Sequence, residues 1–243
     1  MRAACSCGIT TLACTDHWGR PDFVDCSIEE DRLEEYKCAI MQVRQEFPQL
    51  EIVYGLEADW YEGCAADLAE TRGDATFLLG SVHYLKEKAI DWDADMRIWE
   101  EVGADEVWRL YTEEWCKAAT SGLFDSMAHP DLPRLFSEEG YASTRSLEPC
   151  WDAMAEAAHY GHVHVEINTA GLDKSFHDFY PAEGLLQRFC AAQVPLTVGS
   201  DAHHASRIGA GIIDAYRYAW HVGYTCIDAP TAKGDWRSLA LAV

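Results

Sequence analysis

Short apolar runs alternate with longer segments of helical periodicity along almost the whole chain. Runs typical of β-strands lie at 9–14, 51–56, 76–82, 124–128, 162–168 and 195–200, with a last short one at 224–228. The segments typical of helices lie at 28–47, 92–121, 146–160, 181–192 and 206–222. This alternation is typical of βα units, whose strands form a parallel sheet covered by the helices. The sequence therefore predicts an α/β fold with a mainly parallel sheet.

The length and the composition of the chain favour one domain that spans residues 1–243. α/β barrels of this size occur as single domains, and the sequence has no internal repeat, low-complexity tract or linker rich in Pro, Gly or Ser. No run of 18 apolar residues is present, and residues 1–17 lack the apolar core of a signal peptide. We therefore expect no membrane association.

The charge balance is strongly acidic, with 41 Asp and Glu against 19 Lys and Arg and a net charge of -22. Nucleic-acid-binding proteins usually carry a basic patch, and no basic cluster is visible, so we expect no nucleic-acid partner. The ten cysteines are scattered without a Cys-x-x-Cys pair. Unpatterned cysteines in a chain of this length are typical of a reduced, cytoplasmic protein.

Five of the predicted strands are followed by acidic or imidazole side chains. These are Asp16 and His17 after 9–14, Glu57 and Asp59 after 51–56, His83 after 76–82, His129 and Asp131 after 124–128, and Asp201, His203 and His204 after 195–200. A single histidine of this kind is more often structural, and a single aspartate is often the cap of the next helix. The carboxyl ends of all strands in a βα barrel face the same side, however, which is where active sites lie. Five such endings together therefore indicate a shared site.

Histidine and carboxylate side chains without thiolates suit Zn, Mn or Fe in catalytic sites. A carboxylate can bridge neighbouring metals, and such pairs of ions act on phosphate esters. Glu57, which follows a central strand, is the natural bridge. Divalent cations would also allow an acidic protein to bind an anionic phosphate. His162 and His164 are expected to be structural.

Seven stretches, in order along the chain, resemble the polymerase and histidinol phosphatase (PHP) family, and its histidinol-phosphatase branch above all. They are GITTLACTDH (8–17), GLEADW (55–60), LLGSVHYL (78–85), SGLFDSMAHPDLPRLF (121–136), EINTAGL (166–172), YPAEGLL (180–186) and VPLTVGSDAHH (194–204). The resemblance implies a distorted (β/α)7 TIM-like barrel and two or three divalent metal ions. It also implies hydrolysis of a small phosphomonoester, L-histidinol phosphate, to L-histidinol and phosphate in histidine biosynthesis.

The resemblance also assigns roles to particular residues. The metal ligands that it implies are His17, Glu57, His83, His129, Asp201 and His203. Among these, Glu57, Asp201 and His203 are the candidate catalytic residues.

Three further residues are candidates for substrate binding. Asn168 ends a strand on the same side, where it either contacts substrate or serves as a structural amide that bridges the loop. Arg134 and Arg207 follow strands that carry ligands and are candidates to bind phosphate. Each could equally be a surface residue paired with an acid.

The chain departs from the family at its start. Family members open with a strand that carries a His-x-His pair, which this sequence lacks, so the resemblance implies a barrel without its first strand and a Met1 that is a misplaced or truncated start. Strand edges left unpaired favour association, and a homo-oligomer is one expected consequence. The alternative function is a non-catalytic or impaired PHP-like protein that binds metal or phosphate. The nucleic-acid branch of the family is disfavoured by the net charge of -22.

Overall fold

The computed structural model describes residues 1–18 and 27–242, and its strands and helices alternate over these ranges. The strands are β1 (Thr11–Trp18), β2 (Glu51–Asp59), β3 (Phe77–Ser81), β4 (Tyr84–Leu85), β5 (Lys88–Ala89), β6 (Ser126–Met127), β7 (His164–Asn168), β8 (Leu196–Gly199), β9 (Cys226–Pro230) and β10 (Trp236–Ala240). The helices are α1 (Arg2–Ser6), α2 (Leu33–Glu46), α3 (Cys64–Thr71), α4 (Arg97–Val102), α5 (Ala104–Thr120), α6 (Glu148–Gly161), α7 (Glu183–Ala191) and α8 (Ile212–Val222). Short 3₁₀ turns lie at Glu30–Arg32, Leu132–Glu139, Thr169–Asp173 and Ala205–Arg207.

Six strands form one parallel sheet in the order β1-β2-β3-β6-β7-β8. The chain thus crosses the sheet in one direction, and each strand neighbours the strands that precede and follow it in this series. Two small antiparallel hairpins, β4–β5 and β9–β10, accompany the sheet. The expected α/β fold with a mainly parallel sheet is confirmed.

The sheet curls until its first and last strands approach each other. His17 lies near the end of β1 and His203 lies just after β8, at opposite edges of the sheet, yet their Nε2 atoms are 3.2 Å apart. This curvature gives the sheet an inner and an outer face, as in a barrel. The carboxyl ends of the strands therefore surround a common opening, which we call the mouth.

Alternate residues of β2 face the two sides of the curled sheet. Ile52, Leu56 and Ala58 belong to the main hydrophobic core, which lies between the sheet and the helices. Val53 packs instead in a small separate cluster with Phe77, Leu79 and Ala128. Both faces of β2 are buried, as expected for a parallel strand under helices. Glu57 and Asp59 lie four and six residues after Val53. By the same alternation they face the same side of the sheet as Val53.

Several boundaries differ from those that periodicity predicted. The segment 28–47 begins with a 3₁₀ turn, and its α-helix starts only at Leu33. The segment 92–121 forms two helices that are separated at Gly103, whose φ of +76° interrupts the helical backbone. Helices α1 and α3 and strands β4, β5 and β10 lie outside the predicted segments.

Over residues 1–18 and 27–242, no strand pairs with the outer edge of β1 or with that of β8. We call the gap between these two edges the seam. A cavity of about 520 Å³ occupies it and is lined by β1, β8 and β9 as well as by His17, Glu57, Asp201 and His203. The cavity therefore connects the seam with the mouth. No helix in the described part of the chain is long and apolar enough to span a membrane.

Candidate metal centre

The register of the parallel sheet brings the first two predicted ligands together. His17 and Glu57 are direct partners across β1 and β2, and Glu57 is in turn the partner of Leu79 in β3. His83 follows β3 by two residues, and His129 follows β6 by two residues. The donors thus arise from four neighbouring strands at the same level of the sheet. His17, Glu57 and His83 each offer a ligand atom within 4.8 Å of the others.

Glu57, His83 and His129 form the tightest set of donors at the mouth. Oε1 of Glu57 lies 3.1 Å from Nε2 of His129 and 3.4 Å from Nε2 of His83, and the two imidazole atoms are 3.3 Å apart. In a tetrahedral zinc site with bonds of 2.0–2.1 Å, neighbouring ligand atoms are about 3.3–3.4 Å apart. The three atoms therefore have the separation of one face of such a site, and the donor types also suit it.

The other carboxylate oxygen of Glu57 faces a second pair of histidines. Oε2 of Glu57 lies 3.8 Å from Nδ1 of His17, and Nε2 of His17 lies 3.2 Å from Nε2 of His203. This imidazole pair again has the separation of two ligands of one ion. Glu57 thus lies between His129 and His83 on one side and His17 on the other, with one oxygen toward each side; it faces Nδ1 of His17, whereas His203 faces Nε2 of that ring.

The histidines change the electrostatics of the buried carboxylate. Burial alone would raise the pKa of Glu57, but the hydrogen bond with His129 and the charges of His17, His129 and His83 outweigh it, so the pKa lies well below its usual value. Burial alone would lower the pKa of His83, but Asp59, Asp91 and Glu57 raise it well above the usual value. The mouth therefore favours positive charge beside Glu57, which a protonated imidazole or a bound cation can supply.

Asp59 orients the imidazole of His83 by contacting its Nδ1, while its Nε2 faces Glu57. Its Oδ1 lies 2.6 Å from Nδ1 of His83 and accepts a further bond from the hydroxyl of Ser81 at 3.4 Å. With Nδ1 engaged by Asp59, Nε2 is directed toward Glu57. Metal-binding histidines commonly have such a carboxylate partner, which fixes the ring and increases its basicity.

Asp201 lies at the same mouth and is linked to both sides of it. Its Oδ1 is 3.3 Å from Nδ1 of His203, and its Oδ2 accepts a hydrogen bond from the amide of Asn168 at 3.2 Å. Asn168 also donates to Oε2 of Glu166 at 3.0 Å. Burial raises the pKa of Glu166 to about 7; His129 opposes this shift, whereas Asp201 and Glu57 add to it.

The structure joins the six predicted ligands in one connected network, in which His203 links Asp201 to His17. The three predicted substrate-binding residues lie in different surroundings. Asn168 is buried at the mouth and bonded to two carboxylates, which agrees with the alternative of a structural amide. The roles of these nine residues as ligands, catalysts or substrate contacts stay predictions.

The two predicted arginines already have acceptors. Arg134 donates to Asp131 at 3.3 Å, to the carbonyl of Phe179 at 2.8 Å and to Asp178 at 2.8 Å. Arg207 pairs with Asp173, and both side chains are exposed. A phosphate would have to compete with these acceptors.

Other histidines have structural contacts, as expected for His164. Its Nε2 lies 3.0 Å from Asp228, and its ring stacks on Trp236 with centroids 3.6 Å apart. His204 lies next to the cluster, but its Nδ1 is 2.8 Å from the hydroxyl of Ser206 and accepts the backbone N–H of that residue.

Sequence reasoning did not assign roles to Asp59 and Glu166. A signal existed for both, since each is separated by two residues from a predicted site residue, Glu57 or Asn168, and therefore shares its face of a strand. What each carboxylate contacts depends on the neighbouring strands, which the local sequence does not show.

Comparisons with known proteins identify the family and the fold of the chain. The PHP domain family matches residues 1–170. A protein of Deinococcus radiodurans named "Probable histidinol-phosphatase" is 32% identical over 227 residues, which cover 91% of this chain and 85% of that protein. A histidinol phosphate phosphatase of Lactococcus lactis, solved with zinc, L-histidinol and phosphate, has a TM-score of 0.81 at 19% identity and covers 97% of this chain and 90% of that chain. The structural match confirms the TIM-like fold.

Proposed function

Because the chain belongs to the PHP domain family, we propose that it is a metal-dependent phosphomonoesterase that hydrolyses L-histidinol phosphate to L-histidinol and phosphate. The observation that carries this proposal is the triangle of donor atoms from Glu57, His83 and His129, whose sides of 3.1–3.4 Å match a tetrahedral metal site. The similarity to a histidinol-phosphatase over most of the chain supports the choice of substrate.

The residues divide into two groups that would hold two divalent ions, Zn, Mn or Fe. Glu57, His83 and His129 would hold the first, and His17 with His203 would contribute to the second, while Glu57 contacts both groups. Asp201 adds a carboxylate at the same mouth, and a third ion would need further donors. When bound, such ions neutralise the charge of phosphate oxygens and lower the pKa of water.

The residues of this chain prepare the mouth for an anionic ester. Asp59 orients His83, and Glu57 stays ionised because the surrounding histidines lower its pKa. The mouth opens into the 520 Å³ cavity, which provides space for a small substrate beside the donors. The net charge of -22 makes a nucleic-acid substrate unfavourable unless cations intervene.

Phosphate release from L-histidinol phosphate tests this function. The protein is stripped with a chelator, reloaded with Zn or Mn, and compared on L-histidinol phosphate and on glycerol phosphate. We expect release only from the loaded protein and a higher kcat/KM for L-histidinol phosphate. The neighbouring histidines provide a matched pair of variants: His203→Ala should lose activity, whereas His204→Ala, which removes only the contact with Ser206, should retain it. Equal activity of the two variants would contradict the assignment.

The second candidate is a protein that binds metal or phosphate with impaired turnover. The observation that favours it is the seam, because His17 and His203 face a cavity where no described strand supplies a further donor. Binding of zinc without phosphate release from either ester would support this candidate over the first.

Within residues 1–18 and 27–242 the outer edges of β1 and β8 are unpaired, which also supports a homo-oligomer, and the unpatterned cysteines support a cytoplasmic location. Sedimentation of the metal-loaded protein would test the oligomeric state.

A further inference from the structure

Two of the candidate ligands leave their strands through an uncommon backbone conformation. His129 has a φ of +24° and Asp201 has a φ of +47°. Residues other than glycine rarely adopt positive φ, and they persist there only where the surrounding structure holds them in place. The contacts that hold these two residues therefore decide where their side chains lie.

Each residue is held by one side chain of β7, and these two side chains are bonded to each other. Oε2 of Glu166 accepts the backbone N–H of His129 at 3.2 Å and the amide of Asn168 at 3.0 Å. The amide of Asn168 also donates to Oδ2 of Asp201 at 3.2 Å. The side-chain oxygen Oδ1 of Asn168 accepts a hydrogen bond from the backbone N–H of Ala170 at 2.9 Å, which fixes the orientation of the side-chain amide. A continuous chain of hydrogen bonds thus connects the end of β6 with the end of β8.

Gly199 provides the space that this arrangement needs. It is the register partner of Asn168 in β8, and a Cβ at this position would lie 1.9 Å from Oε1 of Glu166. Any side chain here would displace the carboxylate. The carboxylate has little room to move elsewhere, because Glu166 is 5% exposed and Asn168 is 1% exposed.

We infer that Glu166, together with Asn168, is a positioning residue that fixes His129 and Asp201 relative to each other across β7. The inference rests on the proposed function, in which both residues are metal ligands. Without the bond from Glu166, the backbone N–H of His129 loses its acceptor, and among the described residues only the bonds from Leu132 and Tyr111 to its carbonyl oxygen still hold this backbone. The positive φ is then held less firmly, and Nε2 of His129 can move from its 3.1 Å spacing to Glu57. Glu166 acts through two hydrogen bonds, from His129 and from Asn168, and its Oε2 accepts both. A negative charge on Glu166 is not required for these bonds.

This last point distinguishes positioning from a role as ligand or acid. In Glu166→Gln, the amide oxygen can take the place of Oε2 and accept both bonds, whereas Glu166→Ala removes them. Gly199→Ala keeps the carboxylate but displaces it. Asp125→Asn is the matched control, since Asp125 also accepts a backbone N–H of a neighbouring strand, that of Leu78 at 2.7 Å.

The test measures zinc affinity by competition with a chelator and backbone hydrogen exchange at His129 in the metal-free full-length protein. We expect Glu166→Ala and Gly199→Ala to weaken zinc binding by about 10-fold or more, the range found for the partners of metal ligands. We expect both variants to accelerate exchange at His129. Glu166→Gln should restore most of the affinity and the protection, and Asp125→Asn should match the parent protein in both.

Two results would overturn the inference: a Glu166→Gln variant as impaired as Glu166→Ala, which would show that the charge matters, or full zinc affinity in Glu166→Ala. Kinetics on L-histidinol phosphate separate this inference from the proposed function. If Glu166 has a positioning role, its variants should lose kcat with little change in KM. If the parent protein is inactive, the proposed function is refuted, but the zinc and exchange measurements still test the positioning.

Discussion

Replacing Asp59 by Asn should weaken metal binding although Asp59 is not itself among the predicted ligands. Asp59 lies 2.6 Å from Nδ1 of His83, a short contact typical of a hydrogen bond that involves charge. The substitution keeps the shape and one acceptor oxygen but removes the charge that raises the basicity of the imidazole. It leaves Glu57 and His129 unchanged, so any effect must pass through His83.

The expected magnitude follows from the role of Asp59 behind a ligand. Loss of such a partner typically lowers metal affinity by about 10–100-fold, which corresponds to about 1.4–2.7 kcal/mol. The effect should fall in this range because the pair is buried, with 11% of the His83 side chain and 8% of the Asp59 side chain exposed, and is therefore little screened by solvent.

The assay is the zinc dissociation constant of the stripped protein, measured by competition with a chelator of known affinity. Asp228→Asn is the control, because Asp228 lies 3.0 Å from the imidazole of His164, which is not among the predicted ligands. Both variants lose a carboxylate beside a histidine, but only Asp59→Asn should weaken zinc binding. Unchanged affinity in Asp59→Asn, or an equal loss in both variants, would refute the reasoning.

Three further predictions follow from the structure. Glu57→Gln should lose at least one equivalent of bound metal, because Glu57 faces both groups of histidines; metal analysis that finds unchanged stoichiometry would exclude the bridge. Burial lowers the pKa of His164 below 6.5 despite the opposing effect of Asp228, so the unfolded chain takes up a proton that the folded protein rejects. The contribution of His164 to the free energy of unfolding should therefore fall as the pH drops below about 6.5, and the pH profile of His164→Gln in denaturant titrations should differ from that of the parent protein by the loss of this contribution; identical pH profiles would contradict it. Trp115→Ala, at a fully buried position, should reduce the free energy of unfolding by about 3–5 kcal/mol, and a loss below about 1 kcal/mol would show that the site is not well packed.

The local sequence was sufficient to predict the class of fold and the candidate donors. Buried parallel strands and amphipathic helices have different periodicities, which can be read within a few residues. Since all parallel strands point the same way, the residues after each strand lie at the same end of the sheet. This reasoning predicted that His17, Glu57 and His83 lie at one mouth, and the structure places a ligand atom of each within 4.8 Å of the others.

Local sequence was less informative about where helices begin. Helical periodicity runs from residue 28 to residue 47, yet the α-helix starts at Leu33 after a 3₁₀ turn, with Arg32 at the N-cap. Periodicity identifies residues that are able to lie on a helix. The tertiary structure decides at which of them the helical path begins.

The tertiary structure alone decided which side chains support the donors and which residues are already engaged. Asp59 became the partner of His83, and Glu166 that of His129, because the register between strands sets their heights. Arg134 became bound to Asp178 because a loop more than forty residues away packs against it. Periodicity determines the face on which a residue lies, since it depends on backbone geometry within one element. Partners depend on the curl and register of the whole sheet, which are set by contacts between residues far apart in the chain.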